Sequence, residues 1–344
     1  DETVGWDELA HAQGETPVRL DTAGAASRFP ALARMAGLAF IGDLLAVTRI
    51  VGMECPGLRS MLAGMDLRAK SGAGSGGMAY RVREADDRIS MLRMEVDGLL
   101  MEGAVTAFVR PEPKGQTAYT SVRARVPADA FRSQSALVVG GSRGLGEATA
   151  KLVAAGGGQV MVTYRVGRQE ARTVCEEVAR EGGRCAAIRL DTAAVEEGLD
   201  AVAAAGFAPS HVYYFPTPRV THARNATMDA ALFAAFCEVY VSGFSRLYRG
   251  ARIRWPGLRG FFYPSSVTVD EHPPGLVEYA CAKAAGEALC ANLNANEPAC
   301  RILVRRLPVV ATDLSQGLIE SERADATDVM LPVVRAMHAL TAER

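Results

Sequence analysis

A strand, a glycine-rich turn and a helix follow one another over residues 136–155, and this succession constrains the fold more than any other part of the sequence. The apolar run 136–139 predicts a buried strand, the turn occupies 140–146, and 147–155 has the pattern of a helix. Strands and helices continue to alternate as far as residue 190. Such alternation predicts an α/β fold with a parallel, doubly wound sheet that carries helices on both faces.

The turn has the composition of a phosphate-binding site. Glycines permit a tight turn and a close backbone approach, and the helix N-terminus offers free N–H groups and the positive end of its dipole. A turn needed only for packing is the alternative, and the strand–turn–helix context favours the nucleotide site. The predicted cofactor-binding residues here are Gly140, Ser142, Arg143, Gly144, Leu145 and Gly146.

The end of the second strand bears on the choice of cofactor. A site specific for NAD usually places an acidic residue about 20 residues past the glycines to hold the ribose 2′-hydroxyl. Here the strand ends in Tyr164 and Arg165, and Arg143 lies inside the turn. Two arginines favour a 2′-phosphate, so we predict NADPH (NADP) rather than NADH, with Tyr164 and Arg165 as further cofactor-binding residues. Two solvated surface arginines are the alternative.

A tyrosine and a lysine four residues apart form the second chemical signal. Tyr279 and Lys283 would share one face of a helix, where the ammonium lowers the pKa of the phenol from its usual value of about 10. Ser266 follows an apolar strand, at the edge where such a sheet places its active site. Lysine is scarce in this chain, and a compact ammonium that also donates to a ribose hydroxyl is a task for lysine. We predict Ser266, Tyr279 and Lys283 as catalytic residues; an exposed Tyr–Lys pair without chemistry is the alternative.

Through these motifs, residues 135–344 resemble the short-chain dehydrogenases/reductases. The resemblance implies a Rossmann-like fold and an NAD(P)-dependent oxidoreductase in which the tyrosine protonates a carbonyl oxygen, the serine holds it and the lysine positions the ribose. It also implies cofactor contacts from Asp191, near the adenine, and from Pro308 and Thr312, near the nicotinamide.

The sequence departs from the family pattern at three places. Residues 214–217 read Tyr-Phe-Pro-Thr where the family has Asn-Asn-Ala-Gly, and Val309 replaces a glycine. Tyr240 stands where the family has the asparagine that completes a proton-relay tetrad, so we treat it as an altered tetrad position.

The region before residue 112 has a different pattern of apolar residues. Apolar spacing over 29–52 predicts a long helix, and alternation over 78–110 predicts antiparallel strands, which together indicate an α+β unit. About the first 110 residues resemble the hotdog fold of MaoC-like hydratases, chiefly through the segment 49–57 after the long helix and through the closing strand 103–111. Those enzymes use an aspartate and a histidine five residues apart; Asp43 matches the aspartate, but Thr48 occupies the histidine position. We therefore expect a binding or dimerisation domain without hydratase chemistry, in which Asp43 is structural.

The predicted domains are a hotdog-like domain at 1–115, a linker at 116–134 and the Rossmann-like domain at 135–344.

Composition excludes several classes of partner. The 39 acidic and 38 basic residues form no basic run, so we expect no nucleic-acid partner. Seven scattered cysteines without C-x-x-C spacing predict reduced thiols in a cytoplasmic protein, and five histidines without ligand spacing predict no metal site. The apolar run 31–53 is interrupted by charged residues, which favours a buried helix over a membrane span. We expect a homodimer or higher homo-oligomer.

The leading hypothesis from sequence is NADPH-dependent reduction of a 3-ketoacyl thioester, carried by acyl carrier protein or coenzyme A, in fatty-acid or polyketide-type biosynthesis. The thioester is inferred from the hotdog resemblance. The alternatives are a sugar or polyol oxidoreductase, and a cofactor-binding pseudoenzyme or assembly partner in a biosynthetic complex.

Overall fold

The computed structural model describes residues 5–57, 60–70, 76–109, 115–218, 228–310 and 324–342. The chain divides into two compact units at residue 112, and each has a sheet of its own.

The first unit is built on a five-stranded antiparallel sheet in the order β1-β3-β4-β5-β2. Its elements are α1 (Trp6–Ala10), β1 (Gln13–Pro17), α2 (Thr22–Arg28), α3 (Pro30–Ala36), α4 (Leu38–Arg49), a π-helical turn (Ile50–Glu54), β2 (Ser60–Ala69), β3 (Gly77–Asp86), β4 (Met91–Asp97) and β5 (Met101–Val109).

Helix α4 and the π-helical turn supply the apolar face that covers this sheet. Val47 and Ile50 are buried together with Leu92 and Val105 of the strands in one core. The single long helix expected over 29–52 is wrong, because Gly37 has a φ of +83° and separates α3 from α4. A left-handed residue cannot continue a right-handed helix, and glycine adopts that conformation at little cost.

Asp43 has a structural task in this unit. Its carboxylate is fully buried and accepts backbone N–H bonds from Leu99 at 3.2 Å, from Leu100 at 2.7 Å and from Met101 at 3.0 Å. Thr48 also bonds to the backbone, because its hydroxyl donates to the carbonyl of Leu45 at 2.8 Å. The carboxylate therefore holds the turn between β4 and β5.

Replacing Asp43 by alanine is expected to destabilise the first unit by about 3 kcal/mol, because three N–H groups lose a charged acceptor at a buried site. Trp6 and Trp255 are the two tryptophans, one in each unit, so in a Trp255→Phe background the fluorescence of Trp6 follows this unit alone. Urea unfolding monitored in this way measures the loss. The control is Asp66→Asn on the exposed face of β2, which is expected to change the free energy of unfolding by less than about 0.5 kcal/mol. Equal stability of the two variants would contradict the assigned role.

The second unit contains a six-stranded parallel sheet in the order β11-β10-β9-β6-β7-β8, with helices between consecutive strands. This order confirms the predicted α/β, Rossmann-like fold. The elements are α5 (Tyr119–Arg123), β6 (Ser135–Val139), α6 (Gly144–Ala155), β7 (Gln159–Tyr164), α7 (Arg168–Arg180), β8 (Arg184–Arg189), α8 (Val195–Ala204), β9 (His211–Tyr214), α9 (Ala230–Cys237), a π-helical turn (Glu238–Gly243), α10 (Phe244–Arg254), β10 (Gly260–Ser266), α11 (Thr268–Glu271), α12 (Val277–Asn296), β11 (Arg301–Leu307) and α13 (Ala326–Ala342).

The stretch 116–134, which the sequence predicted to be a linker, is packed into the second unit. Tyr119, Val122 and Phe131 are buried in the same core as the strands and α6. The buried ammonium of Lys151 on α6 donates to the carbonyl of Thr117 at 3.2 Å. The segment has the polar composition of a linker, but its larger apolar side chains, which are those of Tyr119, Val122, Val126 and Phe131, are buried in the core.

Within the described ranges, the helical stretch 230–254 is long and apolar enough to cross a membrane by length and composition. The bent pair α3 and α4 passes the same test only when it is taken as one span. Phe236, Phe244 and Leu247 of the stretch 230–254 lie in the core of the second unit. Core helices that are mostly buried pass the same test, and 28% of the tested window within 230–254 is buried.

Candidate active site

The glycine turn places bare backbone between β6 and α6. Gly140 has a φ of +78°, and its N–H donates to the hydroxyl of Thr163 at 3.3 Å. A Cβ at Gly146 would lie 2.2 Å from the carbonyl oxygen of Gly140, so any side chain there would force the turn and the helix apart. The Arg143 side chain does not cap α6. The first turn of a twelve-residue helix therefore faces a cradle made of main chain.

Two further predicted cofactor residues gather at the neighbouring turn after β7. Arg143 is exposed, and its Nη2 lies 3.5 Å from the position that a Cβ on Gly167 would take. Arg165 is exposed two residues before that glycine, and Tyr164 is half-buried at the end of β7. The structure thus brings the guanidinium of Arg143 to the turn that carries Arg165.

The remaining predicted cofactor residues follow the other strands. Asp191 comes just after β8 and accepts the N–H of Ala193 at 3.0 Å. Pro308 comes directly after β11 and is exposed, whereas Thr312 lies outside the described residues. Ser142 is 9% exposed and Leu145 is half-buried.

Ser266 and Tyr279 lie together at the carboxyl edge of the sheet. Ser266 ends β10, and its Oγ accepts hydrogen bonds from the hydroxyl of Thr268 at 3.0 Å and from the N–H of Thr268 at 3.3 Å. Burial raises the pKa of the Tyr279 phenol, and a hydrogen bond with Ser266 opposes that effect. The lowered pKa expected for Tyr279 from its neighbour Lys283 is therefore wrong in direction, because burial outweighs the other effects. The phenol is in its acid form at neutral pH, with the serine beside it.

Lys283 lies one helical turn after Tyr279, and aromatic rings surround its ammonium. Nζ is 3.9 Å from the ring centre of Tyr240, 5.4 Å from that of Tyr263 and 5.7 Å from that of Tyr279, and it donates to the carbonyl of Pro264 at 2.7 Å. Burial lowers the pKa of Lys283 to about 7. Ring faces and one carbonyl replace only part of the hydration of an ammonium.

Tyr240, at the altered tetrad position, lies in the π-helical turn between α9 and α10. Its hydroxyl is 2.5 Å from that of Thr217, which itself donates to the carbonyl of Pro218 at 3.1 Å. Either hydroxyl can be the donor in the first pair. The carbonyl of Tyr240 accepts the hydroxyl of Tyr263 at 3.2 Å. Tyr240 therefore closes one side of the lysine site.

Several supporting residues were not found from the sequence. The buried carboxylate of Glu278 accepts the N–H of Asp229 at 2.6 Å and so holds the start of α9 against α12. Gly286 lets the Tyr263 hydroxyl approach α12, because a Cβ there would lie 1.9 Å from that oxygen. These are contacts between distant segments, and no local pattern marks them.

Within the described ranges, no group of three or more His, Cys, Asp or Glu side chains could hold a metal ion.

The second unit is similar to known proteins both in sequence and in fold. Residues 134–209 match the sequence profile of the short chain dehydrogenase family. A crystal structure of a short-chain dehydrogenase from Burkholderia cenocepacia, solved with NADP, superposes with a TM-score of 0.53 at 24% identity and covers 60% of this chain and 91% of its own. A dehydrogenase/reductase from Sinorhizobium meliloti gives 0.53 at 22% identity, with 63% and 91% covered. The second unit has a short-chain dehydrogenase fold.

An alcohol dehydrogenase from Thermococcus sibiricus, solved with 5-hydroxy-NADP, shares the dehydrogenase fold with a TM-score of 0.53 at 20% identity, and covers 61% of this chain and 92% of its own. Among curated proteins, a 3-oxoacyl-[acyl-carrier-protein] reductase of Synechocystis is 40% identical over 68 residues, which is 20% of this chain. The chain spans 28% of the length of that relative. The resemblance to short-chain dehydrogenases that was inferred from the glycine turn therefore agrees with the sequence matches and with the fold of the solved structures.

Proposed function

We propose that the chain is an NADPH-dependent reductase of 3-ketoacyl thioesters carried by acyl carrier protein or coenzyme A. One observation carries the proposal. Ser266, Tyr279 and Lys283 lie together at the carboxyl edge of the sheet, and the turn between β6 and α6 is rich in glycine. An acid, an oxygen-binding hydroxyl and a cation beside a dinucleotide cradle are what carbonyl reduction requires.

The cradle fits a dinucleotide. The main chain at Gly140 and Gly146 leaves room that a Cβ would fill, and α6 presents its N-terminus there, which suits a pyrophosphate. Arg143 beside the turn that carries Arg165 offers two cations for a 2′-phosphate, which supports NADPH over NADH. The nicotinamide would supply the hydride. Asp191, Pro308 and Thr312 remain proposed contacts to the same cofactor.

Replacing Gly146 by alanine is expected to weaken NADPH binding about tenfold or more, equivalent to about 1.4 kcal/mol, because the new methyl group meets the Gly140 carbonyl at 2.2 Å. Calorimetric titration measures the change. The matched control is Gly257→Ala in the same unit, where a Cβ meets nothing within 4 Å. Unchanged affinity in the Gly146 variant would contradict the assignment of the cradle.

The proton is delivered by this chain's own groups. Thr268 donates to Ser266 twice, so the single proton of Ser266 is left for Tyr279 or for a substrate carbonyl oxygen. Tyr279 holds its proton at neutral pH, because burial raises its pKa, and gives it to the oxygen as the carbonyl carbon is reduced. The phenolate that remains is stabilised by the Lys283 ammonium, one helical turn away.

The thioester is inferred from the first unit and from the curated relative. Helix α4 on a five-stranded antiparallel sheet is compatible with the hotdog resemblance, and the Synechocystis relative is named for a 3-oxoacyl group on acyl carrier protein. Asp43 and Thr48 are both committed to backbone partners, so we propose a non-catalytic domain for acyl binding or assembly. A cytoplasmic homodimer or higher homo-oligomer completes the proposal.

Calorimetric titration of the purified chain with NADPH and with NADH, followed by a ketone panel monitored at the nicotinamide absorbance, tests the proposal. We expect tighter binding of NADPH and oxidation of NADPH with acetoacetyl thioesters. Arg143→Ala is expected to weaken the binding of NADPH and to leave the binding of NADH unchanged. Preference for keto sugars in the panel would move the substrate to the sugar or polyol class, and a chain that reduces no ketone would overturn the proposed enzymatic activity.

The lysine site favours one second candidate, a cofactor-binding pseudoenzyme or assembly partner. Nζ of Lys283 is directed to the Pro264 carbonyl and the Tyr240 ring, and Tyr240 replaces the family's asparagine. This candidate predicts NADPH binding without turnover. A Tyr240→Asn variant that gains ketone reduction from an inactive parent would support it, whereas a wild-type chain that already turns over excludes it.

A further inference from the structure

Two thiols that are ten residues apart in the sequence meet on the outer layer of the second unit. Cys175 on α7 and Cys185 on the edge strand β8 have their sulfur atoms 3.1 Å apart. A disulfide bond is about 2 Å long, so the sulfurs need to move about 1 Å to be joined. The sequence indicated scattered reduced thiols, and this pair is the place where the fold brings two of them into contact.

We propose that Cys175 and Cys185 form a two-thiol site that a hydroperoxide oxidises reversibly to an intramolecular disulfide. The inference goes beyond the proposed reductase activity, because neither sulfur belongs to the Ser266, Tyr279 and Lys283 group.

Access supports the site. Both cysteines line an open cavity of about 410 Å³, whose other lining includes Arg168, Arg172 and Glu176, and Arg172 is ion-paired with Glu176 at 2.6 Å. Cys175 is 9% exposed and Cys185 is half-buried, so a molecule as small as a hydroperoxide reaches them through the cavity. Buried cysteines without such an opening are inert to oxidants.

The two thiols differ in acidity. A hydrogen bond from the Cys185 thiol lowers the pKa of Cys175, against the opposing effects of burial and of Glu176. The same contact and burial raise the pKa of Cys185. The thiolate is the nucleophilic form of cysteine, so Cys175 is the attacking sulfur and Cys185 the resolving one.

The reaction has two balanced steps. The Cys175 thiolate attacks a peroxide oxygen: an S–O bond forms, the O–O bond breaks, the peroxide leaves as water or an alcohol, and the sulfur becomes a sulfenic acid. Cys185 then attacks that sulfur: the S–S bond forms, the S–O bond breaks, and hydroxide leaves with the Cys185 proton as water. A dithiol reverses the oxidation by thiol–disulfide exchange.

Mass spectrometry of the full chain after treatment with hydrogen peroxide tests the site. Trypsin cuts after Arg172, Arg180, Arg184 and Arg189, which puts the two cysteines in separate peptides, 173–180 and 185–189. We expect these two peptides to be found cross-linked, with a mass loss of two hydrogen atoms, and to be released by dithiothreitol. The number of thiols that react with maleimide falls by two.

Variants separate this site from the other cysteines. Cys185→Ser is expected to abolish the cross-link and to leave a sulfenic acid on Cys175 that dimedone labels. The control is the double variant Cys237→Ser/Cys281→Ser, which changes the more accessible thiols of α9 and α12 and is expected to keep the cross-link. Absence of the 173–180/185–189 pair from oxidised wild-type protein, or oxidation of Cys281 alone, would overturn the proposal.

Discussion

Tyr279→Phe is expected to lower kcat for ketone reduction by about 10²–10⁴-fold, because the variant has no proton to give to the carbonyl oxygen. The ring keeps its edge-on contacts with Phe236 and Tyr240, whose centres lie 5.7 Å away in each case, so the fold is expected to stay intact. Initial rates of NADPH oxidation with an acetoacetyl thioester measure the loss. Calorimetry is expected to find NADPH binding unchanged.

The control for Tyr279→Phe is Tyr248→Phe in the same unit. Tyr248 is also buried, and its hydroxyl donates to Glu297 at 3.1 Å, so this variant loses one buried hydroxyl bond away from Ser266. We expect wild-type rates from it. A Tyr279→Phe enzyme that reduces ketones at the rate of the Tyr248→Phe enzyme would remove Tyr279 from the chemistry.

Lys283→Met is expected to stabilise the cofactor-free protein while abolishing ketone reduction. Methionine has a similar length and no charge, so the buried site no longer has to hold an ammonium. We expect a rise of about 1 kcal/mol or more in the free energy of unfolding at pH 7, measured by urea denaturation. Lys283→Arg keeps the charge, but its longer side chain with a planar guanidinium does not reproduce the compact ammonium that donates to the Pro264 carbonyl at 2.7 Å, so it is expected to lose activity without the gain in stability.

The dependence of stability on pH gives the same lysine a second signature. Its pKa is about 7 in the folded protein and has its ordinary value of 10.5 in the unfolded chain. Between these values the unfolded chain binds more protons, so the stability of the wild type rises with pH across this window, by up to about 1.4 kcal/mol per pH unit from this group. The Lys283→Met variant is expected to lack this contribution. The same slope in both proteins would contradict the burial of a titrating lysine.

Catalysis is expected to have the opposite dependence on pH. Stabilising the Tyr279 phenolate requires the charged form of Lys283, whose pKa of about 7 makes the neutral amine dominant at higher pH. The rate of ketone reduction is therefore expected to fall as pH rises above 7.

The sequence predicted those parts of the fold and site that depend on near neighbours. The turn at 140–146 and the pair Tyr279 and Lys283 are local patterns, in which spacing alone fixes a loop or a shared helix face. The strand–helix alternation likewise depends on short-range periodicity. These features could be assigned before any contact between distant segments was known.

The remainder depended on packing between distant segments. Tyr119 and Phe131 lie in a polar stretch whose burial depends on α6 and the strands, and Asp43 gains its role from a turn 56 residues away. The contact of Cys175 with Cys185 depends on how α7 lies against β8. The π-helical turn that brings the Tyr240 ring over Lys283 has no sequence marker either.

Transfer of deuterium from the cofactor to the product tests whether the chain catalyses hydride transfer. Purified wild-type protein is mixed with an acetoacetyl thioester and with NADPH in which deuterium replaces both hydrogens at C4 of the nicotinamide, and the product is examined by mass spectrometry. The proposed reductase predicts a 3-hydroxyacyl thioester with one deuterium on the carbinol carbon, and no such product from Tyr279→Phe. NADPH that binds and is recovered unoxidised, across the whole range of ketones, would contradict it.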